Sequence, residues 1–326
     1  MPAAASNASR RRAALLRAVR IGFAVVVVAC IAWFVIASWS DVAAALAQLH
    51  LAVVAGAVLA AMVGICFAML SWRACMRALD ATLPLGASAS TYFVGQLAKY
   101  VPGSVWAVLA QADLAARHGI GRSVTAAASL AQMLVSVLSG MLVGGVGLLL
   151  AGSEVLLTYW WIAPASLLCA VALWPPLLQL VLRLAGRVLR RDALREVTVR
   201  PAPMLAATGW CALMWIAFGV HFALLIAPLV DDPGTLLLAG SAYAFAWVAG
   251  FVIIFLPAGA GAREGVLVLA LGGVIGVPAA LSMALVSRFA MLLGDVVVAG
   301  VGWLGLRRMG LRPQPTGADA AGPRGT

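Results

Sequence analysis

Ionisable side chains are scarce in this chain, and six of them fall inside otherwise apolar stretches: Lys99, Asp113, Arg263, Glu264, Arg288 and Asp295. The polar Gln96, Gln111, Gln132 and His221 accompany them. A charge at membrane depth costs about 3 kcal/mol and persists there by pairing or by handling a ligand, so each is a candidate site residue. The six carry three positive and three negative charges. That balance suits either mutual neutralisation or the holding of an anionic or zwitterionic head group. Three of the six flank proline–glycine breaks. Lys99 leads into Tyr100-Val101-Pro102-Gly103-Ser104, and Arg263-Glu264 follows Pro257-Ala258-Gly259-Ala260-Gly261-Ala262. A helix restarting after each break, near Gly103 and Ser104 and near 261–264, exposes unpaired N–H groups and the positive end of its dipole. Both attract anions. With Lys99 and Arg263 beside the two starts, the expected chemistry is capture of a phosphate-bearing head group. Glu264 falls in a helix's first turn, where a carboxylate is favoured and could receive a cationic group. Arg288 lies roughly 14 Å into the last apolar run by helix rise, and Asp295 shares its face two turns on. The two could pair through intervening groups or line a head-group path. The expected substrate-binding set is Lys99, Tyr100, Pro102, Gly103, Ser104, Arg263, Glu264, Arg288 and Asp295. Asp113 reads as interfacial, and His221 as a hydrogen-bonded structural histidine.

The elements that hold these residues follow from composition. Of 326 residues, 64% are hydrophobic and 10% charged, against about 25% charged in a soluble domain. The chain therefore reads as an all-α polytopic membrane protein. Long unbroken apolar runs, such as 21–37 and 51–70, exclude a β-barrel, whose strands alternate polar and apolar positions. The net charge of +11 comes from 22 basic residues, of which only Lys99 is not arginine. Most of them sit beside apolar runs, which fits inner-face flanks and anionic lipid rather than nucleic acid. The five cysteines form no CxxC pair, His50, His118 and His221 are dispersed, and no HExxH or P-loop occurs. Neither metal nor any other cofactor is expected, and the protein reads as a non-enzyme.

Six full spans are expected, at about 21–38, 51–71, 124–150, 159–182, 204–228 and 279–306. The 18 residues of the first cover roughly 27 Å, enough for the hydrocarbon core. Arginines gather at 10–20, 73–77, 117–122, 183–200 and 307–312. The connections 39–50, 151–158 and 229–234 have no Lys or Arg and hold Asp41, Glu154, Asp231 and Asp232. This bias puts both termini on the cytoplasmic side. The broken segments 86–117 and 235–277 must each return to the face they leave. They read as re-entrant hairpins from opposite faces, or as pairs of full crossings with the same end points. The order span, span, hairpin, span occurs twice, at about 20–150 and 159–306, and an odd number of crossings per unit makes the second unit inverted. Pro102 precedes Gly119 by 17 residues and Pro257 precedes Gly276 by 19. Matching broken segments in inverted units point to a transporter's binding site. The hairpin tips are expected to meet near the midplane. Domain bounds are 1–20 for a basic inner terminus, 21–306 for one membrane domain and 307–326 for a disordered tail. Residues 183–203 read as a basic surface helix, and the glycine-rich 140–147 as a close helix contact.

The run Gly95-Gln96-Leu97-Ala98-Lys99-Tyr100-Val101-Pro102-Gly103-Ser104-Val105-Trp106, followed by Pro257, Gly259, Gly261, Arg263-Glu264 and Arg288, resembles the flippase-like transmembrane domain of lysylphosphatidylglycerol synthases. The resemblance covers about 20–306. It implies movement of a modified or glycosylated lipid between leaflets in a bacterial plasma membrane. No counterpart of the synthases' aminoacyl-transfer domain is expected. The family often has a basic residue near the position of Gln111, a departure that bears on head-group preference. The expected partners are membrane lipids, with a homo-oligomer or a cell-envelope enzyme also open, and no nucleic acid. Two rival functions stand beside translocation. One is a membrane-embedded transferase on polyprenyl-linked substrates, for which the outer loops supply only Asp231 and Asp232. The other is a non-transporting scaffold.

Overall fold

The computed structural model describes residue 36 and residues 39–100, 106–151, 160–188, 199–252 and 261–308. Among them are the helices α1 Trp39–Ala47, α2 Leu51–Ala78, α3 Leu85–Gln96, α4 Trp106–Ala116, α5 Arg122–Leu150 and α6 Ile162–Ala172. The series continues with α7 Pro175–Val188, α8 Pro201–Ile226, α9 Pro233–Val252, α10 Ala262–Ile275 and α11 Val277–Arg308. A 3₁₀ turn, Leu97–Tyr100, extends α3. The described residues contain no strand. Lipid offers the backbone no hydrogen bonds, and these apolar runs satisfy their own amides only as helices. Five of the helices are long and apolar enough to cross a membrane: Leu51–Ala78, Arg122–Leu150, Pro201–Leu229, Pro233–Phe251 and Val277–Arg307.

Two expectations change, and a third is tested only in part. The stretch 159–182 is two helices, α6 and α7, parted at Leu173 and Trp174. Pro175 and Pro176 donate no N–H, and a proline pushes the residue before it out of helical geometry. The connection 39–50 contains helix α1, whose alanine-rich run favours a helix and which packs on α11. The basic stretch 183–203 is described only in part, its first residues ending α7 and its last starting α8. Of the expected span 21–38 only residue 36 is described, and residues 189–198 and the tail from 309 onward lie outside the described residues.

The most extensive packing joins α2 to α8. Trp215 of α8 lies against α5, where a Cβ at Gly140 would come within 2.9 Å of the indole. Its Nε1 donates to Ser136 O at 3.0 Å and Ser139 Oγ at 3.2 Å. Glycine in that stretch of α5 thus serves close helix contact, as expected. The two broken segments share one arrangement. In the first, α3 packs on α11 and α4 on α5; in the second, α9 packs on α5 and α10 on α11. Both segments therefore sit between α5 and α11. The legs of the first, 12 and 11 residues, span roughly 18 and 17 Å. Those of the second, 20 and 14 residues, span roughly 30 and 21 Å.

Candidate functional site

Helix α11 carries Arg288 and Asp295 seven positions apart, so both lie on one face about two turns from each other. Each finds a partner on a different broken segment. Asp295, 2% exposed, receives Lys99 Nζ at 2.6 Å and the Tyr100 hydroxyl at 2.5 Å, both on Oδ2. The tight turn after α3 delivers those two neighbours to one carboxylate oxygen. Arg288 pairs with Glu264, which is 4% exposed. The expected Arg288–Asp295 pairing gives way to these two separate pairs, because a segment packs on α11 at each of those levels.

Helix α10 starts where the second break was expected to restart a helix. Gly261 has φ +84°, a left-handed conformation that glycine adopts without penalty. Its N–H donates to Glu264 Oε2 at 2.7 Å, the reach-back of a capping box. Glu264 therefore divides its oxygens: one caps α10, the other holds Arg288.

Arg263 has no ion pair among the described residues. Its Nε is buried and has no hydrogen-bond partner among the described residues. The guanidinium lies 5.5 Å from the Trp247 ring centroid. The side chain passes Gly250, where a Cβ would sit 2.7 Å from its Cγ. It lies within electrostatic reach of Tyr243, Arg288, Glu264 and Tyr100. That reach to Tyr100 joins the described ends of the two broken segments into one cluster along α11. Three cations (Lys99, Arg263, Arg288) face two anions (Asp295, Glu264), a surplus of one positive charge.

Asp113, counted into the expected charge balance, is elsewhere. It is exposed and pairs with Arg122 Nε at 2.7 Å. Pro102, Gly103 and Ser104 lie outside the described residues. Gln111 and His221 make contacts between helices, while Gln96 and Gln132 bond within their own helix. Gln111 Oε1 accepts from Ser129 Oγ at 2.7 Å, which accepts from Trp72 Nε1 at 2.9 Å. Gln96 donates to the Tyr92 hydroxyl and Gln132 to Ser136. His221 Nδ1 meets Ala57 O at 2.8 Å, and a carbonyl only accepts, so Nδ1 carries the proton. Nε2 then accepts from Ser287 Oγ at 2.8 Å. His221 thus ties α8 to α2 and α11, next to Arg288 in sequence. Trp247, Gly250 and Ser287 escaped the sequence reading. Only Ser287, adjacent to a deep arginine, left a signal that could have been used. Among the described residues no group of His, Cys, Asp or Glu could hold a metal ion.

Long apolar helices around a part-buried cluster of charged side chains, its two carboxylates buried, define a multi-pass α-helical membrane protein. The chain belongs to the family described as the lysylphosphatidylglycerol synthase TM region, which matches residues 19–299. Membership supports a role connected with membrane lipids. A search of curated proteins found no match.

Proposed function

We propose that the protein is a carrier, not an enzyme, and that it moves a phospholipid or lipid-linked substrate between leaflets through the cluster on α11. The acyl chains would stay in the bilayer while the head group passes the cluster. The observation that carries this reading is Arg263, half-buried, whose buried Nε has no hydrogen-bond partner among the described residues and which lies beside the Lys99–Asp295 and Arg288–Glu264 ion pairs without joining either. One surplus positive charge matches one phosphodiester. In this reading Arg263 receives the phosphate first, while Asp295 and Glu264 keep Lys99 and Arg288 neutralised until they too turn to it. Charges that would be costly alone are thereby paired at each stage.

The shared placement of the broken segments between α5 and α11 supports two units, about 20–150 and 159–306, of opposite orientation. The short legs of the first segment favour a hairpin that enters and leaves by one face. Alternating access would then be a rocking of the hairpins against the α2–α8 pair. The arginine-rich side is the cytoplasmic side of a bacterial plasma membrane. The test is reconstitution in vesicles with fluorescent lipids of differing head groups. Protein-dependent leaflet exchange of at least one lipid, abolished by Arg263→Gln, is expected. Absence of any such gain across the head groups rejects the reading.

A further inference from the structure

A second site lies away from α11. Where α2 ends and α8 begins, a surface groove of about 190 Å³ opens between the two helices. The two ends abut directly, since Arg200 N–H donates to Ala78 O at 3.0 Å. Arg73 and Arg77 stand over the groove on the α2 side, four positions apart and so on one face. Their like charges repel each other, and among the described residues neither has an ion-pair partner. Asp80, the acid near this end, is taken by Arg200 at 3.3 Å. Arg73 is oriented by a bond from its Nε to Leu83 O at 3.3 Å.

Below the arginines the groove turns apolar. Leu70 and Ala74 line one wall, and Pro203, Ala206 and Trp210 the other. Trp210 stacks on Phe67, with ring centroids 5.7 Å apart. From Arg77 to Phe67 the helix rises roughly 15 Å. Charge at one end and aromatic surface at the other, in that order along the helix axis, is the polarity profile of a phospholipid. Basic pockets between helices on the arginine-rich side of a membrane bind anionic head groups.

We infer that the α2–α8 groove holds an anionic phospholipid of the arginine-side leaflet, its phosphate between Arg73 and Arg77 and an acyl chain along Leu70 and Trp210. This site is independent of the translocation reading. It places a lipid on the seam of the largest helix pair, where it would brace that pair from outside.

The test compares retention of phosphatidylglycerol and phosphatidylcholine by the full-length protein in detergent, read by native mass spectrometry. The parent is expected to retain the anionic lipid with about tenfold preference, in keeping with two basic contacts. The R73Q/R77Q double variant is expected to lose that preference and R73K/R77K to keep most of it. Ala206→Phe, which fills the groove and spares both arginines, is expected to lose retention as well. Each comparison is repeated in an Arg263→Gln background, so that head-group capture on α11 does not contribute. Equal retention of the two lipids by the parent, or an unchanged preference in both R73Q/R77Q and Ala206→Phe, overturns the inference.

Discussion

Arg263 and Asp295 are both charged and both deep, yet removing them should have opposite consequences. Arg263 is stacked on Trp247, a contact worth about 1–2 kcal/mol when desolvated. Against that, a cation held at depth costs about 3 kcal/mol, offset in part by Glu264 nearby. Arg263→Gln is therefore expected to leave the melting temperature unchanged or raise it by the equivalent of about 1 kcal/mol, while leaflet exchange is lost. A large fall in melting temperature would make Arg263 a structural residue instead. Asp295→Asn strands Lys99 beside a neutral amide. Breaking a buried pair costs about 3–5 kcal/mol, and because Lys99 keeps 35% of its side chain exposed, a loss of about 2 kcal/mol is expected. The Lys99→Met/Asp295→Leu double variant should recover most of it, with a coupling above about 1 kcal/mol in a double-mutant cycle. Additive losses would mean that the pair does not act as a unit. These residues were legible in the sequence because a charge inside an apolar run is too costly to be incidental. Their partners were not, since a pairing depends on which helices face each other. Asp113, counted among the deep charges but read as interfacial, is exposed and pairs with Arg122 nine positions on, a partner the sequence did not name.

The helices that carry these residues were legible to within a few positions wherever apolar runs were long, as in α5, α8 and α11, while α2 runs seven residues past its expected end, to Ala78. Short elements were harder to read, because periodicity needs length and tertiary packing decides the rest. Helix α1 hid in an acidic connection, and a pair of prolines cut one expected span into α6 and α7. Helix α9, the longer leg of the second broken segment, starts on a cap that offers a clean test. Asp232 Oδ2 accepts the Thr235 N–H at 2.8 Å and the Thr235 hydroxyl at 2.9 Å, with Pro233 at the first helical position. The Thr235 hydroxyl, then the Thr235 and Gly234 amides, hold the Asp232 carboxyl below its ordinary value of 3.8. A depressed carboxylate adds stability that is fully present above the ordinary value and fades as pH falls through the lowered one. Asn caps as well as Asp but does not titrate. Asp232→Asn should therefore match the parent's melting temperature at neutral pH and lack the added decline below about pH 4. Asp232→Ala should lie below both at neutral pH. Parallel pH profiles for parent and Asp232→Asn would deny the cap its charge-dependent part.

At the scale of the whole molecule, the two broken segments repeat one packing pattern, first leg on one of α5 and α11 and second leg on the other, and the opposite orientation of two units remains part of the proposal. Sequence carried only an echo of this, because lipid-facing positions accept almost any apolar residue and lose their resemblance first. Charge keeps the better record. Basic residues crowd the ends of α2, α7 and α11, while the turn before α9 carries Asp231 and Asp232. If that bias sets orientation, four single cysteines in a cysteine-free background should divide cleanly. Leu85→Cys at the start of α3 and Arg183→Cys in α7 should react with a membrane-impermeant maleimide only after the inner face is exposed. Asp231→Cys and Val277→Cys should react in intact cells. Each of the four parent residues is exposed, so protein burial would not mask a thiol. The decisive pair is Leu85 and Val277, because they begin α3 and α11, two helices that pack together. Labelling of both from one side would mean that the two units share an orientation. Head-group transfer by rocking of opposed hairpins would then have no structural basis, whatever Arg263 binds.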